Sequence, residues 1–577
     1  MDTATQRTET FENIVSHPPS FTTETLEPSR DQQIETNLSR FGTVTQLSET
    51  KTDEEGNPIA AGWMLTTDNI HEACQASLGL GLQIVIAGAL TSGTKNFGAP
   101  GVQHDTSKII LIQSKGSLGE VALTPYTGDL PKSNQAFFTF DQSGNPKTVI
   151  AGPGVIPDHI NEALTKDRWL ALDLTTRNQA HNGAVYATGG MGPSRIRPSE
   201  IIERIWLSDG NQILEITDPE EIKMHEGMIG LTGAIVGIEY KILEVPTEKF
   251  GTLVPLNVPT LDPANPEWPQ ELSKLLAELQ PSLNLKITDG KLSSDWTEGF
   301  IDGVEIITLA ELEMVEAKGN TSKELTQAIA AMKNANSQFA VYITGRHNKK
   351  LNDENPRNPL IKLYDLHEEE KIGEYIELST QLKQFAKLRE EIPTQAKAEA
   401  KNPGENRKAL STSTDINARI SEAEMTRIKG LPAEQQATAL QEAFRSLLTP
   451  FIDYEAAITQ ITEQAREKNV DVVIHRYGHA HPRNIDLHTR ITATTEIEND
   501  QALKEIFTLI TKAKKDLMKA AFELGQNDLR FTIDSGEKGI PPTIELLDRT
   551  QLKMRQALVA SAPAAFNWRA KGTPLAA

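Results

Sequence analysis

Residues Ile84 to Thr94 read IVIAGALTSGT. Three β-branched apolar residues run into the small-residue turn Ala87-Gly88-Ala89, and the hydroxyls of Thr91 and Ser92 follow. A buried strand that opens into such a turn brings backbone N–H groups close to an anion, and the hydroxyls add donors. An ordinary tight turn has the same composition, so the surrounding chain decides the meaning of the stretch.

Downstream, Ile109 to Ile112 reads as a strand. Val149-Ile150-Ala151-Gly152-Pro153-Gly154 reads as a strand and turn leading into a helix from Pro157 to Leu164. The segment Asn182 to Gly192 (NGAVYATGGMG) is dense in glycine and alanine, a composition for irregular chain or for backbone lying against a large ligand. Ile201 to Leu207, Asp209-Gly210 and Ile213 to Ile216 spell a hairpin with a tight turn. The run from Gly227 to Val236 (GMIGLTGAIV) leads into a strand that ends at Pro246. Upstream, Gly62 to Leu65 is a short strand, and Thr66-Thr67-Asp68 supplies capping side chains for a helix through Ala76. Residues 1–56 form a polar extension with one helix at Asp31 to Phe41.

The 577 residues are long enough for two to four domains. Against 58 Lys and Arg stand 79 Asp and Glu, a net charge of −21, which argues against nucleic acid or an anionic membrane as the main partner. Cys74 is the single cysteine, so a disulfide framework, a cysteine zinc site and an internal iron–sulfur cluster are excluded. No run of 18 apolar residues occurs, and the first residues lack the pattern of a signal peptide. The expected location is cytoplasmic, with peripheral membrane attachment left open.

From Lys249 the composition changes, beginning with the prolines 255, 259, 263, 266 and 269. Leu272, Leu275, Leu276 and Leu279 have helical spacing, and Val304 to Leu309 and Phe339 to Thr344 read as strands. A helix at Gln381 to Glu391 and a long one at Gln501 to Leu524 are also expected. Asp471 to Arg490 (DVVIHRYGHAHPRNIDLHTR) carries four of the 12 histidines. On an extended chain His479 and His481 share a face and, with carboxylates, suit a divalent cation. Histidines at a strand end also serve simply to satisfy backbone groups.

The order of elements from Ile84 to Val236 resembles the FAD-binding domain of the vanillyl-alcohol oxidase and PCMH superfamily. The resemblance implies an α+β fold: a two-subdomain FAD-binding domain over 57–248, then an α+β substrate (cap) domain with an antiparallel sheet over 249–545. A tail, 546–577, would return to the flavin. It also implies that Gly88, Ala89, Leu90, Thr91 and Ser92 hold the FAD pyrophosphate, and that Gly183, Thr188, Gly189, Gly192, Ile235 and Asn567 line the cofactor. Two departures stand out: Ala87 replaces a frequent arginine, and His181-Asn182-Gly183-Ala184 replaces Thr-Ile-Gly-Gly.

In its second half the chain is similar to the D-lactate, glycolate and D-2-hydroxyglutarate dehydrogenase branch. Gly478, His479 and Asn484 match that branch's strand motif, and Gly536-Glu537-Lys538-Gly539 matches its later Gly-Glu-His-Gly. The implied metal ligands are His479, Asp486 and Glu537, for zinc or, given the added carboxylate, manganese. Arg389 would pair with a substrate carboxylate. His488 takes the place of a substrate-contacting asparagine, Ser413 that of a lysine and Lys538 that of the expected base, so Lys538, His481 and His488 all remain candidates for the base. The implied reaction is FAD-dependent oxidation of a 2-hydroxy acid, with electrons leaving to a quinone, a cytochrome, an electron-transfer flavoprotein or oxygen. A larger alcohol or sugar acid as substrate, or a flavin-free metal hydrolase, are the alternatives. Oligomeric state stays open, a homodimer included.

Overall fold

The structure is a computed structural model, and it describes residues 29–47, 61–88, 105–117, 119, 121–174, 178–190, 192, 194, 196–258, 271–272, 274–276, 279, 287–288, 291–292, 299–317, 323–347, 376–377, 404–481, 484–525, 530–533, 549–567 and 570. In the strands that carry residues 415–419, 475, 477, 479–481 and 484–488, the backbone alone is described at those positions.

Helix α1 (Arg30–Leu38) opens with a reciprocal cap between Ser29 and Gln32. Strands β1 (Gly42–Gln46) and β2 (Trp63–Thr67) pair antiparallel. Helix α2 (Ile70–Gly79) then crosses to β3 (Gln83–Ala87), and β4 (Ile109–Ser114) lies parallel to both β2 and β3. The four-stranded sheet has the order β1-β2-β4-β3. Its alternate residues Ile84, Ile110 and Ile112 pack with Ile34, Leu38, Ala73 and Cys74 of the two helices. The expected cap of α2 is corrected. Asn69 is the N-cap, without a side-chain bond, and Thr67 instead accepts the Asn69 N–H and donates to the Phe41 carbonyl.

The next unit is antiparallel. It contains β5 (Ala136–Phe140), β6 (Pro146–Ala151), helix α3 (Pro157–Ala163), β7 (Arg168–Trp169), helices α4 (Asn182–Thr188) and α5 (Pro198–Ile201), β8 (Ile202–Ser208), β9 (Ile213–Ile216), helix α6 (Pro219–His225), β10 (Ala234–Lys241) and β11 (Leu243–Glu244). The sheet order is β5-β6-β10-β8-β9, with β11 paired to β7 apart from it. The glycine-rich segment at Asn182 is thus helical over its first seven residues. One glycine costs a helix about 1 kcal/mol, and burial of Val185 and Tyr186 offsets that here. Gly189 then ends the helix in the left-handed conformation at φ 66°.

The remaining chain builds around an eight-stranded sheet. Its elements are β12 (Glu248–Pro255), the short pair β13 (Ile287–Thr288) and β14 (Lys291–Leu292), β15 (Gly299–Thr308), helices α7 (Leu309–Ala317) and α8 (Lys323–Asn334), β16 (Phe339–His347), β17 (Ile376–Glu377) and β18 (Arg407–Arg419). Helices α9 (Glu422–Lys429) and α10 (Ala433–Glu467), strands β19 (Asp471–His481) and β20 (Asn484–Glu496), helix α11 (Asp500–Gly525), β21 (Arg530–Ile533), and helices α12 (Arg549–Ser561) and α13 (Ala564–Asn567) follow. The sheet order is β17-β12-β16-β15-β19-β20-β18-β21, and all its pairs are antiparallel. One face places Val304, Ile306, Val341, Ile491 and Ala493 against α10 and α11. On the other face Leu253, Tyr342 and Ile307 pack with α7 and α8. Leu272, Leu275, Leu276 and Leu279 are all buried in the first of these cores, as their spacing requires. The expected helix at Gln381 to Glu391 lies outside the described residues.

Where β15 ends, the buried carboxylate of Glu311 accepts the Thr308 N–H at 3.0 Å, and the Glu311 N–H points back to Thr308 Oγ1. Desolvation pushes the Glu311 carboxyl up to about 7, against the opposing pull of the Thr308 bonds and Arg476. Between the unfolded value near 4.5 and about 7, the folded state therefore holds a proton that the unfolded chain has lost. This group's contribution to stability is full below pH 4.5 and is lost as pH rises through 7, a change of roughly 3 kcal/mol at most. Glu311→Gln should flatten that part of the stability–pH profile, measured by denaturant melts at pH 5 and pH 8. A profile identical to wild type would show that the carboxyl is not held neutral.

Candidate cofactor cleft and polar sheet face

The ends of β3, β4 and β6 and the start of α4 converge at residues without side-chain bulk. A Cβ on Gly88 would lie 2.5 Å from the Ala184 Cβ, and one on Gly116 would lie 2.7 Å from His181 Nε2. A Cβ on Gly183 would lie 2.5 Å from the Pro153 Cβ, so β6's turn and α4 meet backbone to ring. Asn182 is fully buried and ties the two together: its Nδ2 donates to the Gly152 carbonyl at 2.8 Å. Close backbone approach at a strand–turn–helix junction is what a phosphate-bearing ligand requires. Ala89, Leu90, Thr91 and Ser92, which follow Gly88 in the sequence, lie outside the described residues.

Three histidines in this unit hydrogen-bond hydroxyls through Nδ1: His181 to Ser114 at 2.8 Å, His159 to Ser117 at 2.9 Å and His225 to Thr232 at 2.9 Å. Burial pulls His181 and His225 down to about 4, so both imidazoles are neutral at pH 7.

The other residues expected near the cofactor have duties within the chain. Thr188 donates to the Ala184 carbonyl at 2.8 Å, and a Cβ on Gly192 would strike Asp173 at 2.3 Å. Ile235 packs in the core under β10, beside a register shift between Ile235 and Gly237. Asn567 gives both its amide bonds to the end of α12, at Val559 and Ala562. The tail does reach this unit. Buried Arg555 of α12 donates to the Lys223 carbonyl at 3.2 Å, and Val559 and Ala570 pack on Met228 and Leu231. Desolvation lowers the guanidinium to about 10, with Glu226 opposing the shift.

The second group of residues lies on the eight-stranded sheet. Uninterrupted register pairs His479 with Asp486, Tyr477 with His488 and His481 with Asn484 between β19 and β20. Asp486 pairs in turn with Asn417, and His488 with Asp415, on β18. On the other side His479 pairs with Glu305 of β15. Directly paired residues share a face. Glu305, His479, Asp486 and Asn417 thus form one transverse row, and Tyr477, His488 and Asp415 form part of the next. Glu305, at 2% exposure, was not among the residues singled out from the sequence. Its register neighbour Tyr342 belongs to the face covered by α7 and α8, so the row lies on the face away from α10 and α11.

That same face meets the first half of the chain. Phe300 pairs with Arg346 on it, Phe300 stacks on Trp169 at a ring separation of 6.3 Å, and the Arg346 guanidinium lies 4.8 Å over the Trp169 ring. The polar rows and the glycine junction are therefore carried by two units in contact at Trp169. Arg389, Glu537 and Lys538 lie outside the described residues. No cluster of three metal-ligating side chains occurs among the described residues, which do not include the side chains of His479 and Asp486.

No protein-family model and no curated protein matches the chain. Solved structures do match in fold. An alkyldihydroxyacetonephosphate synthase superposes with a TM-score of 0.58 at 11% identity, covering 93% of this chain and 84% of its own. A 4-ethylphenol oxidase from Gulosibacter chungangensis gives 0.54 at 10% identity, covering 95% and 96%. A substrate-bound p-cresol methylhydroxylase gives 0.53 at 9% identity, covering 93% and 95%. The α+β architecture with a PCMH-type first unit and an antiparallel second sheet is therefore the fold of this protein. At such identities the likeness establishes fold and leaves the reaction to the site.

Proposed function

We propose that this chain is an FAD-dependent oxidoreductase that oxidises a 2-hydroxy acid of the D-lactate or D-2-hydroxyglutarate kind. The observation that carries the reading is the pair of polar rows across β15, β19, β20 and β18, on the face that meets the first unit at Trp169. Gly88, Gly116 and Gly183 let the strand ends and α4 approach one another closely, and backbone N–H groups at that junction would hold the FAD phosphates. Thr188, Gly189, Gly192 and Ile235 are assigned to the cofactor's lining, and FAD bound there would supply the electron sink.

The chain's own residues then have three tasks. The substrate carboxylate needs a cation, and Arg389 is assigned to it. The resemblance expects a lysine at Ser413, and Arg490 stands in the paired position there, so a cation is retained one strand away. The substrate hydroxyl needs a group that lowers its pKa, a task for a zinc or manganese ion held by His479, Asp486 and Glu537. Its proton needs a base. Of Lys538, His481 and His488, the last is the one assigned here, because its register partner on β18 is the carboxylate residue Asp415.

The reading is tested by the visible spectrum of the purified protein, repeated after acid precipitation. Flavin bands released to the supernatant are expected. Anaerobic addition of D-2-hydroxy acids should then bleach them, while aldonates, 4-alkylphenols and L-hydroxy acids should not. A colourless protein that takes up no FAD would overturn the reading and favour a metal hydrolase. Bleaching by a phenol or an aldonate alone would move the substrate to a larger alcohol or sugar acid.

A further inference from the structure

The eight-stranded sheet has a narrow seam. Among the described residues β15 and β19 share two register pairs, Glu305 with His479 and Ile306 with Gly478, whereas β15 shares nine with β16 and β19 shares eleven with β20. The row Glu305, His479, Asp486 and Asn417 crosses the sheet at that seam. Two pairs are a short ladder between two half-sheets, and short ladders open locally. The setting of His479 against Glu305 therefore needs a further tie.

Arg476 supplies it. Carried on, the β15–β19 register would set Thr308 opposite Arg476, but there the chain turns into α7. The Glu311 carboxyl, which accepts the Thr308 N–H at 3.0 Å, lies against the Arg476 backbone N–H and guanidinium in its place. Successive side chains of a strand alternate in direction, so Arg476, between His475 and Tyr477, points away from the polar rows and toward α10. There its Nε donates to Oε2 of buried Glu455 at 2.6 Å, and its Nη2 lies 2.5 Å from the same oxygen. The residue paired with Arg476 on β20 is Thr489, whose buried hydroxyl has no hydrogen bond, so that position adds no polar tie. Desolvation works against the Arg476 charge, and Glu455 and Glu311 more than offset it. Carboxyl groups from two helices thus converge on one strand residue, and a charged, hydrogen-bonded contact fixes orientation as well as distance.

We propose that Arg476 is a positioning residue: held from α10 by Glu455 and from α7 by Glu311, it fixes β19 at the seam and so sets His479 against Glu305 in the row assigned to the reaction. The role in the reaction rests on the 2-hydroxy-acid reading above. The clamp at the seam does not.

The test uses the full-length protein and replaces both partners of the pair, Arg476→Met together with Glu455→Met. Removing one partner of a buried pair is strongly destabilising, but replacing both by apolar side chains of similar volume is often neutral. Hydrogen exchange read by peptide mass spectrometry should become roughly 10-fold faster in peptides covering 303–308 and 476–481, the sign of a local opening, and stay unchanged over 340–346. Flavin reduction at saturating 2-hydroxy acid should slow by about 10-fold with KM within about 2-fold, as a misplaced reacting group requires. Arg476→Lys, which keeps the charge without the planar fork, should move both readouts in the same direction but less. Seam exchange at the wild-type rate in these variants overturns the proposal. So does faster seam exchange with a wild-type reduction rate, which would make Arg476 a structural residue only. A wild type whose bound flavin no 2-hydroxy acid reduces defeats the functional reading and the positioning role with it, while exchange at the seam still reports whether the clamp exists.

Discussion

His479→Ala and Asp486→Ala are expected to slow substrate-driven flavin reduction by about 10²-fold each, the usual loss when a ligand or orienting group of a reacting centre is removed. The expected loss follows from the sheet register. His479 and Asp486 are seven positions apart on a hairpin and pair directly across it, so one substitution breaks the row at its middle and the other at its next strand. Neither belongs to the glycine junction around Gly88 and Gly116, so the flavin spectrum and melting temperature should stay near wild type. Rapid-mixing reduction of the bound flavin by the substrate found in the screen separates these effects. Thr494→Val is the control, since Thr494 shares the face but pairs with Asp471 at the far end of the hairpin. If His479→Ala reduces at the wild-type rate, the chemistry does not occur on these rows.

The double mutant sharpens the test. Two residues that act through one bound ion should lose little more together than singly, because either loss already removes the ion. Independent contacts to the substrate would instead multiply.

Much of the fold was legible where local pattern and tertiary demand agree. β3 and β4 are β-branched because both faces of a parallel pair are covered, and the α11 helix shows its apolar stripe at Leu503, Ile506, Ile510 and Leu517. The 35-residue helix α10 was not read, because Pro450 sits inside it and proline ordinarily ends a helix. Burial of Phe451, Tyr454, Ile458 and Ile461 against the sheet carries the helix past that break. The seven-residue step from His479 to Asp486 was visible as a spacing, but Glu305 reaches the row only through a strand paired from elsewhere in the chain. Likewise nothing local to His181 announces Ser114, 67 residues earlier. Register and long-range pairing are what a single sequence conceals, and here they assemble the polar rows.

Phe566→Ala is expected to destabilise the protein by about 3–5 kcal/mol, the range for removing a buried aromatic side chain, and to release the flavin more readily. Phe566 is fully buried although it lies 11 residues from the end of the chain. It packs in the same cluster as Ile84 of β3, Ile110 and Ile112 of β4 and Cys74 of α2, so the C-terminal helix completes the core beneath the strand that opens into the Gly88 turn. Its ring edge also comes within 3.6 Å of where a Cβ on Gly210 would stand, and Gly210 holds φ at +87° in the β8–β9 turn. One ring therefore touches both sheets of the first unit, while Arg555 and Val559 pin the preceding helix to residues 223–231. Collapse of the site after truncation would have to move strand against strand, so the cavity should be poorly relieved and the cost should lie toward the upper end of that range. Phe566→Leu, which keeps most of the volume, should cost roughly 1.5 kcal/mol or less. Denaturant melts give the stabilities, and ultrafiltration of the coloured protein gives the fraction of flavin lost. A Phe566→Ala protein as stable as wild type would detach the tail from the core. A large loss of stability with full flavin retention would confine the tail's role to folding and leave the cofactor junction independent of it.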